Sequence, residues 1–158
     1  MVVFPKDVDD INKVVNVVNK VVNYVTGKKT AGDDSISLTP HSCGTDMAGG
    51  DLNKSIILDV NAHMNKIIDI GSESAIVQPG VPFRLFEKES PKYKSMLPSY
   101  PASKSMASVG GTVANNSGGE KSLRYGQTKT TSKLLKSSLE TEMNKNLKNS
   151  IEKSWMKN

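Results

Sequence analysis

The sequence is poor in the residues that usually announce a chemistry. A single cysteine, Cys43, rules out an intramolecular disulfide and points to a reducing compartment, so the cytoplasm is the expected location. No apolar run approaches the ~18 residues of a membrane span, and the first six residues lack the basic and apolar regions of a secretory signal. Aromatic residues make up only 5% of the chain, and Arg84 and Arg124 are its only arginines. The net charge of +5 is concentrated from Lys129 onward, where seven lysines stand against three glutamates. The body before it is near neutral and has no basic stripe for a phosphate backbone, which argues against nucleic acid as a partner. His63 has no second histidine or acid at ligand spacing and reads as a surface residue, so no metal site is expected.

What is present is a mixed pattern of strands and helices. Residues 2–5 read as a short strand closed by proline. Asp7 follows as a helix N-cap with Asp10 at the third helical position, and Val8, Ile11, Val15, Val18, Val22 and Val25 recur at helical spacing. Val14, Val17 and Val21 widen that face. Valine is a mediocre helix former, so this helix must draw its stability from packing. Residues 27–34 read as a polar connection, 35–39 as a second strand, 40–52 as a loop of small and turn-forming residues, and 55–60 as a third strand. Residues 66–70 and 74–78 flank Gly71-Ser72-Glu73 as a hairpin, Pro79-Gly80 stops its second arm, and 82–89 read as a short helix. Residues 91–103 look irregular. This order implies an α+β lobe, a small mixed sheet flanked by helices.

Two stretches of small residues carry the chemical signal: 42–50, Ser-Cys-Gly-Thr-Asp-Met-Ala-Gly-Gly, and 108–119, which is rich in glycine and almost free of charge. Glycine lets backbone N–H groups approach a ligand and takes positive φ, so such loops can form concave nests for a diphosphate. Neither stretch matches the three-glycine dinucleotide fingerprint or the phosphate loop ending in Gly-Lys-Ser/Thr. Each taken alone is equally compatible with an ordinary turn.

Their arrangement is more specific. In order the chain shows V-V-F-P-K-D-V-D-D-I, T-P-H-S-C-G-T-D-M-A-G-G with S-I-I-L-D-V behind it, A-I-V-Q-P-G-V, L-P-S-Y-P-A-S, S-V-G-G-T-V-A-N-N-S-G-G and L-R-Y-G-Q-T. This series, covering residues 1–128, resembles the PCMH-type FAD-binding domain of the vanillyl-alcohol oxidase / p-cresol methylhydroxylase superfamily. It is most similar to the branch with D-lactate dehydrogenases, glycolate oxidase flavoprotein subunits and alkyl-dihydroxyacetone-phosphate synthases. The resemblance implies that His41, Ser42, Cys43, Gly44, Thr45, Asp46, Gly49 and Gly50 wrap the FAD pyrophosphate through backbone amides. It implies that Pro79 and Gly80 lie near the adenosine end, and that Pro101, Ser103, Ser108, Gly110, Gly111, Ala114, Asn115 and Asn116 line the isoalloxazine and ribityl chain.

The departures from the family pattern are local. Relatives usually read Arg-Gly-Gly-Gly-Thr where this chain has His41-Ser42-Cys43-Gly44-Thr45, so the backbones of Ser42 and Cys43 must avoid conformations only glycine tolerates. Relatives that attach FAD covalently from this loop carry a histidine at the place of Thr45, so non-covalent FAD is expected. His41 reads as a hydrogen-bonding or exposed residue, Cys43 has no partner base, and no catalytic residue is assigned.

The resemblance further implies part of an FAD-dependent oxidoreductase oxidising a 2-hydroxy acid such as D-lactate or glycolate, inactive without a separate substrate-binding cap. The alternative is a non-enzymatic, shortened flavin-fold module. Residues 129–158 fall outside the resemblance and form a basic tail. In it Leu135, Leu139, Met143, Leu147, Ile151 and Trp155 recur every fourth residue, an amphipathic helix suited to packing or to docking on a partner. A shifted reading frame is a second reading of this tail, since a neighbouring frame of 129–144 can encode the strand that relatives have there.

Overall fold

The computed structural model describes residues 1–26 and 36–132. Strand β1 (Val2–Val3) leads through the buried Pro5 to helix α1 (Val8–Thr26). The helix begins where the Asp7 carboxylate accepts the Asp10 amide at 2.9 Å, the N-cap expected from sequence. The Lys13 ammonium, and then the Lys6 amide, donate to Asp10 and hold its carboxyl below the usual range. Val18 is buried and Ile11, Val14 and Val15 are half-buried, whereas Val8, Val17 and Val21 are exposed. Among the described side chains the packed face is therefore narrower than the valine pattern suggested, and the side chains of Val22 and Val25 lie outside those described.

Strand β2 (Leu38–His41) and strand β3 (Ile56–Asp59) complete a parallel sheet in the order β1-β3-β2. Val2 lies opposite Ile57, and Leu38 to His41 run opposite Ile56 to Asp59. The second strand thus sits later than the expected 35–39, and Pro40, expected to open a loop, is paired inside it opposite Leu58. Among the described residues β2 has a neighbour on one side only, and an edge strand tolerates the N–H that proline lacks. The polar connection 27–34 and Ser35 lie outside the described residues.

The antiparallel pairing is held in a separate hairpin of β4 (Ile67–Ile70) and β5 (Ala75–Val77), bulged between Ile67 and Asp69. Its inner residues Ile67, Ile70 and Val77, with Leu97, pack on a buried cluster of Val81, Phe86 and Val109. Phe86 belongs to α2 (Phe83–Glu89), which a single 3-10 turn (Ser90–Tyr93) extends. Phe83 stacks obliquely on Tyr100 with ring centres 5.7 Å apart.

The stretch 108–119, expected as a loop, is helical over Val109–Ala114 (α3). Two glycines oppose a helix by about 1 kcal/mol each, so contacts outside it must supply the difference. Ser108 caps it by accepting the Gly111 amide, while Val109 and Gly110 donate to the Val81 and Pro79 carbonyls at 2.8 Å. Two further one-turn helices follow, α4 (Ser122–Tyr125) and α5 (Thr128–Thr131). Thr128 donates both its amide and its hydroxyl to the Ser117 carbonyl, which seats α5 beside α3. The apolar stripe of the tail, Leu135 to Trp155, lies outside the described residues. No helix among the described residues is long and apolar enough to cross a membrane.

Candidate FAD site at the carboxyl end of the parallel sheet

Strands β2 and β3 end side by side at His41 and Asp59, and the 42–50 loop leaves from that end. The carboxyl end of parallel strands is where open α/β sheets bind ligands. The loop turns through two left-handed glycines, Gly44 at φ +62° and Gly49 at +72°. Ser42 and Cys43, which stand where relatives carry glycine, are not in that region, so their side chains cost the backbone nothing there. Gly44 is different. A Cβ on it would also meet the Asp51 carboxylate at 3.2 Å and the His41 ring at 3.3 Å.

The Asp46 carboxylate closes the loop on itself, accepting the Ala48 amide at 3.3 Å and the Gly50 amide at 2.8 Å. Under the loop, Nδ1 of His41 lies 3.1 Å from the Asp51 carboxylate, close enough for charge attraction when the ring is protonated. This nitrogen is sealed from solvent and its N–H is not aligned for a hydrogen bond, so the contact is one of proximity rather than a directed bond.

Backbone accounting separates the two glycine stretches. Every amide from 109 to 112 is spent, on Val81, Pro79 or Ser108. The amides of residues 42–47 donate to no described residue. A run of consecutive N–H groups without protein partners, bent by a left-handed glycine, can form an anion nest, and such donors suit a diphosphate.

That run borders a cleft of about 490 Å³. The cleft is lined by Thr45, Asp46 and Met47 from the first stretch and by Pro101, Ala102, Ser103 and Asn115 from later in the chain. Of the residues expected from sequence, the structure thus gathers Thr45, Asp46, Pro101, Ser103 and Asn115 around one space. Behind the cleft, Ser42 Oγ lies 2.7 Å from Ser108 Oγ, which joins the two stretches across 66 residues of chain.

The remaining residues sit in the frame. Gly110 is where the chain cannot carry a side chain, because a Cβ would stand 2.6 Å from Pro79 Cβ and from Pro79 O. The close approach that glycine permits here is to Pro79. Gly80 is buried for the same reason, against the Val60 and Met64 carbonyls. Ala114 is exposed, and Asn116, at φ +44°, turns its amide group to Gln127 and Lys129. His63 is exposed. Ala102, expected with Pro101 and Ser103, also lines the cleft. Sequence reasoning missed Met47 as a cleft residue, and it missed Asn61, whose side-chain Oδ1 accepts the Ser42 hydroxyl at 2.6 Å. Asn61 lies two residues past the end of β3, and its place near a strand's carboxyl end was the available signal.

Residues 1–137 match the protein-family model described as an FAD binding domain. The chain belongs to the FAD-binding domain family. The glycolate oxidase subunit GlcD of Bacillus subtilis is 27% identical over 135 residues, 81% of this chain and 25% of the relative. The D-2-hydroxyglutarate dehydrogenase of Pseudomonas putida is 31% identical over 130 residues, 80% of this chain and 12% of the relative. Among solved structures, an alkyldihydroxyacetonephosphate synthase superposes with a TM-score of 0.61 at 21% identity, over 80% of this chain and 22% of the other. The chain therefore spans a quarter or less of the length of these relatives. The PCMH-type resemblance and the α+β lobe read from the sequence are both borne out, and the longest run of amides without a partner among the described residues of the two glycine stretches is 42–47.

Proposed function

We propose that this chain holds FAD without a covalent bond, as the cofactor-binding part of a flavoprotein oxidoreductase that acts on a 2-hydroxy acid. The observation that carries the reading is the run of free amides at 42–47, set at the carboxyl end of β2 and β3 on the edge of the cleft. On this reading the 42–47 amides take the diphosphate, while Pro101, Ala102, Ser103 and Asn115 meet the flavin side. Bound FAD supplies the hydride acceptor, and the protein supplies placement and hydrogen bonds. The 2-hydroxy acid is inferred from the names of the relatives, glycolate oxidase, D-lactate dehydrogenase and D-2-hydroxyglutarate dehydrogenase. Non-covalent binding is inferred from the loop itself, where Thr45 faces the cleft, and from the histidine just before it, His41 at the end of β2, which is turned to Asp51.

Thermal shift tests the reading. FAD at about one hundred times its dissociation constant adds roughly 2.7 kcal/mol, which raises the melting temperature of a domain this size by on the order of 5–10 °C. NAD at the same concentration leaves it unchanged, and acid precipitation releases all bound flavin into the supernatant. A folded sample that does not respond to FAD sinks the cofactor assignment and favours the non-enzymatic module.

A further inference from the structure

The Ser42 side chain has a role that the amide run does not explain. Its Oγ lies 2.6 Å from Asn61 Oδ1 and 2.7 Å from Ser108 Oγ. One hydroxyl carries one proton, and an amide oxygen only accepts, so Ser42 donates to Asn61 and accepts from Ser108. Ser108 Oγ in turn accepts the Gly111 amide at 3.1 Å. The result is a directed chain, Gly111 N–H to Ser108 to Ser42 to Asn61, in which every proton is used once. Cys43 Sγ also reaches Asn61 Oδ1, at 3.9 Å.

The three residues come from three parts of the fold. Ser42 opens the free-amide loop, Asn61 follows β3, and Ser108 caps α3. Asn61 is itself pinned, donating its amide to the Asp59 carboxylate at 2.8 Å and accepting at its carbonyl from the Asn65 side chain at 2.7 Å. Ser108 is almost fully buried and held by the bridge to Pro82. Two rigid anchors thus grip the first residue of a loop whose following amides are unbonded.

We propose that Ser42 is a positioning residue: a hydroxyl latch that sets the 42–47 amides relative to α3, and so relative to Asn115, the cleft residue that ends this helix. The proposal rests on the FAD reading above. An extended ligand touching both the 42–47 loop and Asn115 needs their separation fixed, whereas a hydroxyl that merely filled space could be replaced by a methyl. Loss of the latch leaves the amides present but no longer preorganised, and ordering them then falls on the ligand.

FAD affinity, measured by flavin fluorescence on the full chain, tests this with Ser42→Ala and Ser42→Thr, using samples shown by circular dichroism to be folded without FAD. Ser42→Ala is expected to weaken FAD about tenfold, the scale of one or two neutral hydrogen bonds. Ser42→Thr keeps the hydroxyl and returns affinity to within about threefold of the parent. In an Asn61→Ala background the Ser42→Ala change costs less than in the parent, because only the bond to Ser108 is left to lose. Parent-like affinity in Ser42→Ala overturns the latch, as does an equal loss in the alanine and threonine variants. A parent chain that binds no FAD overturns the site reading itself, an outcome distinct from either.

Discussion

The two glycine-rich stretches look alike in composition and differ in almost everything else. In 42–50 the glycines are used for conformation, since Gly44 and Gly49 take positive φ, and six neighbouring amides are left without partners among the described residues. In 108–119 they are used for proximity. Gly110 touches Pro79 and Gly119 touches the Tyr100 carbonyl, with none at positive φ, and the first amides of α3 are all bonded within the protein. One stretch is open to a ligand and the other is a joint in the scaffold. Counting glycines cannot separate these roles, but following each N–H to its partner does.

The largest effect that follows is at the joint. Gly110→Val places a branched side chain where Pro79 Cβ, O and Cα lie 2.6–2.8 Å away, and proline backbone cannot yield cheaply. A loss of about 3 kcal/mol or more is expected, a large share of the stability of a small domain, read as a fall in the urea midpoint. Full retention of stability would erase the contrast.

Gly44→Ala tests the open stretch. Forcing a side chain into the left-handed region costs about 1–2 kcal/mol, and the new Cβ presses on Asp51 and His41. The fold should survive, with an unchanged circular dichroism spectrum, while FAD affinity falls at least tenfold in a fluorescence titration. Stability lost without any change in FAD affinity would make this loop a joint as well.

The smallest effect lies at the outer anchor of the second stretch, where the Tyr100 hydroxyl donates to Glu120. That bond, then burial, pushes the Tyr100 pKa above 10.0. A group whose folded pKa is raised contributes stability in full below its unfolded value, and loses it as pH rises through the folded one. The melting temperature should therefore fall above about pH 10, and Tyr100→Phe should flatten part of that fall. Lys104, raised by its hydrogen bond to Glu87, titrates in the same direction and leaves a residual slope in the variant. An identical alkaline profile in parent and Tyr100→Phe would remove this anchor from the account.

Local chemistry decided which parts of the fold the sequence disclosed. Asp7 is a capping residue in front of a periodic helix, and Gly71-Ser72-Glu73 sits between two apolar runs, so α1 and the β4–β5 hairpin were legible. Helix α3 was not, because its formation depends on the Pro79 and Val81 carbonyls, which no property of Val-Gly-Gly-Thr-Val-Ala reveals. Pro40 hid a strand residue because only the finished sheet shows that β2 lies at an edge. At the site, Thr45, Asp46, Pro101, Ser103 and Asn115 were named from block order, while Asn61 belongs to no block and emerged only from its contact with Ser42.

The strand order β1-β3-β2 also sets a sequence of events in time. Strands β1 and β2 both precede β3 in the chain, flank it and do not pair with each other, and the Met1 ammonium finds its partner only at the Ser55 carbonyl, 54 residues later. During synthesis β1 and β2 have no partner for this sheet among the described residues until β3 is made, and α1, rich in valine, must wait as a poorly stabilised helix. Assembly of this side of the molecule is therefore governed by a late arrival. Residues 56–59 act as the keystone, and the entropy of closing that long loop places the sheet among the slow steps of folding.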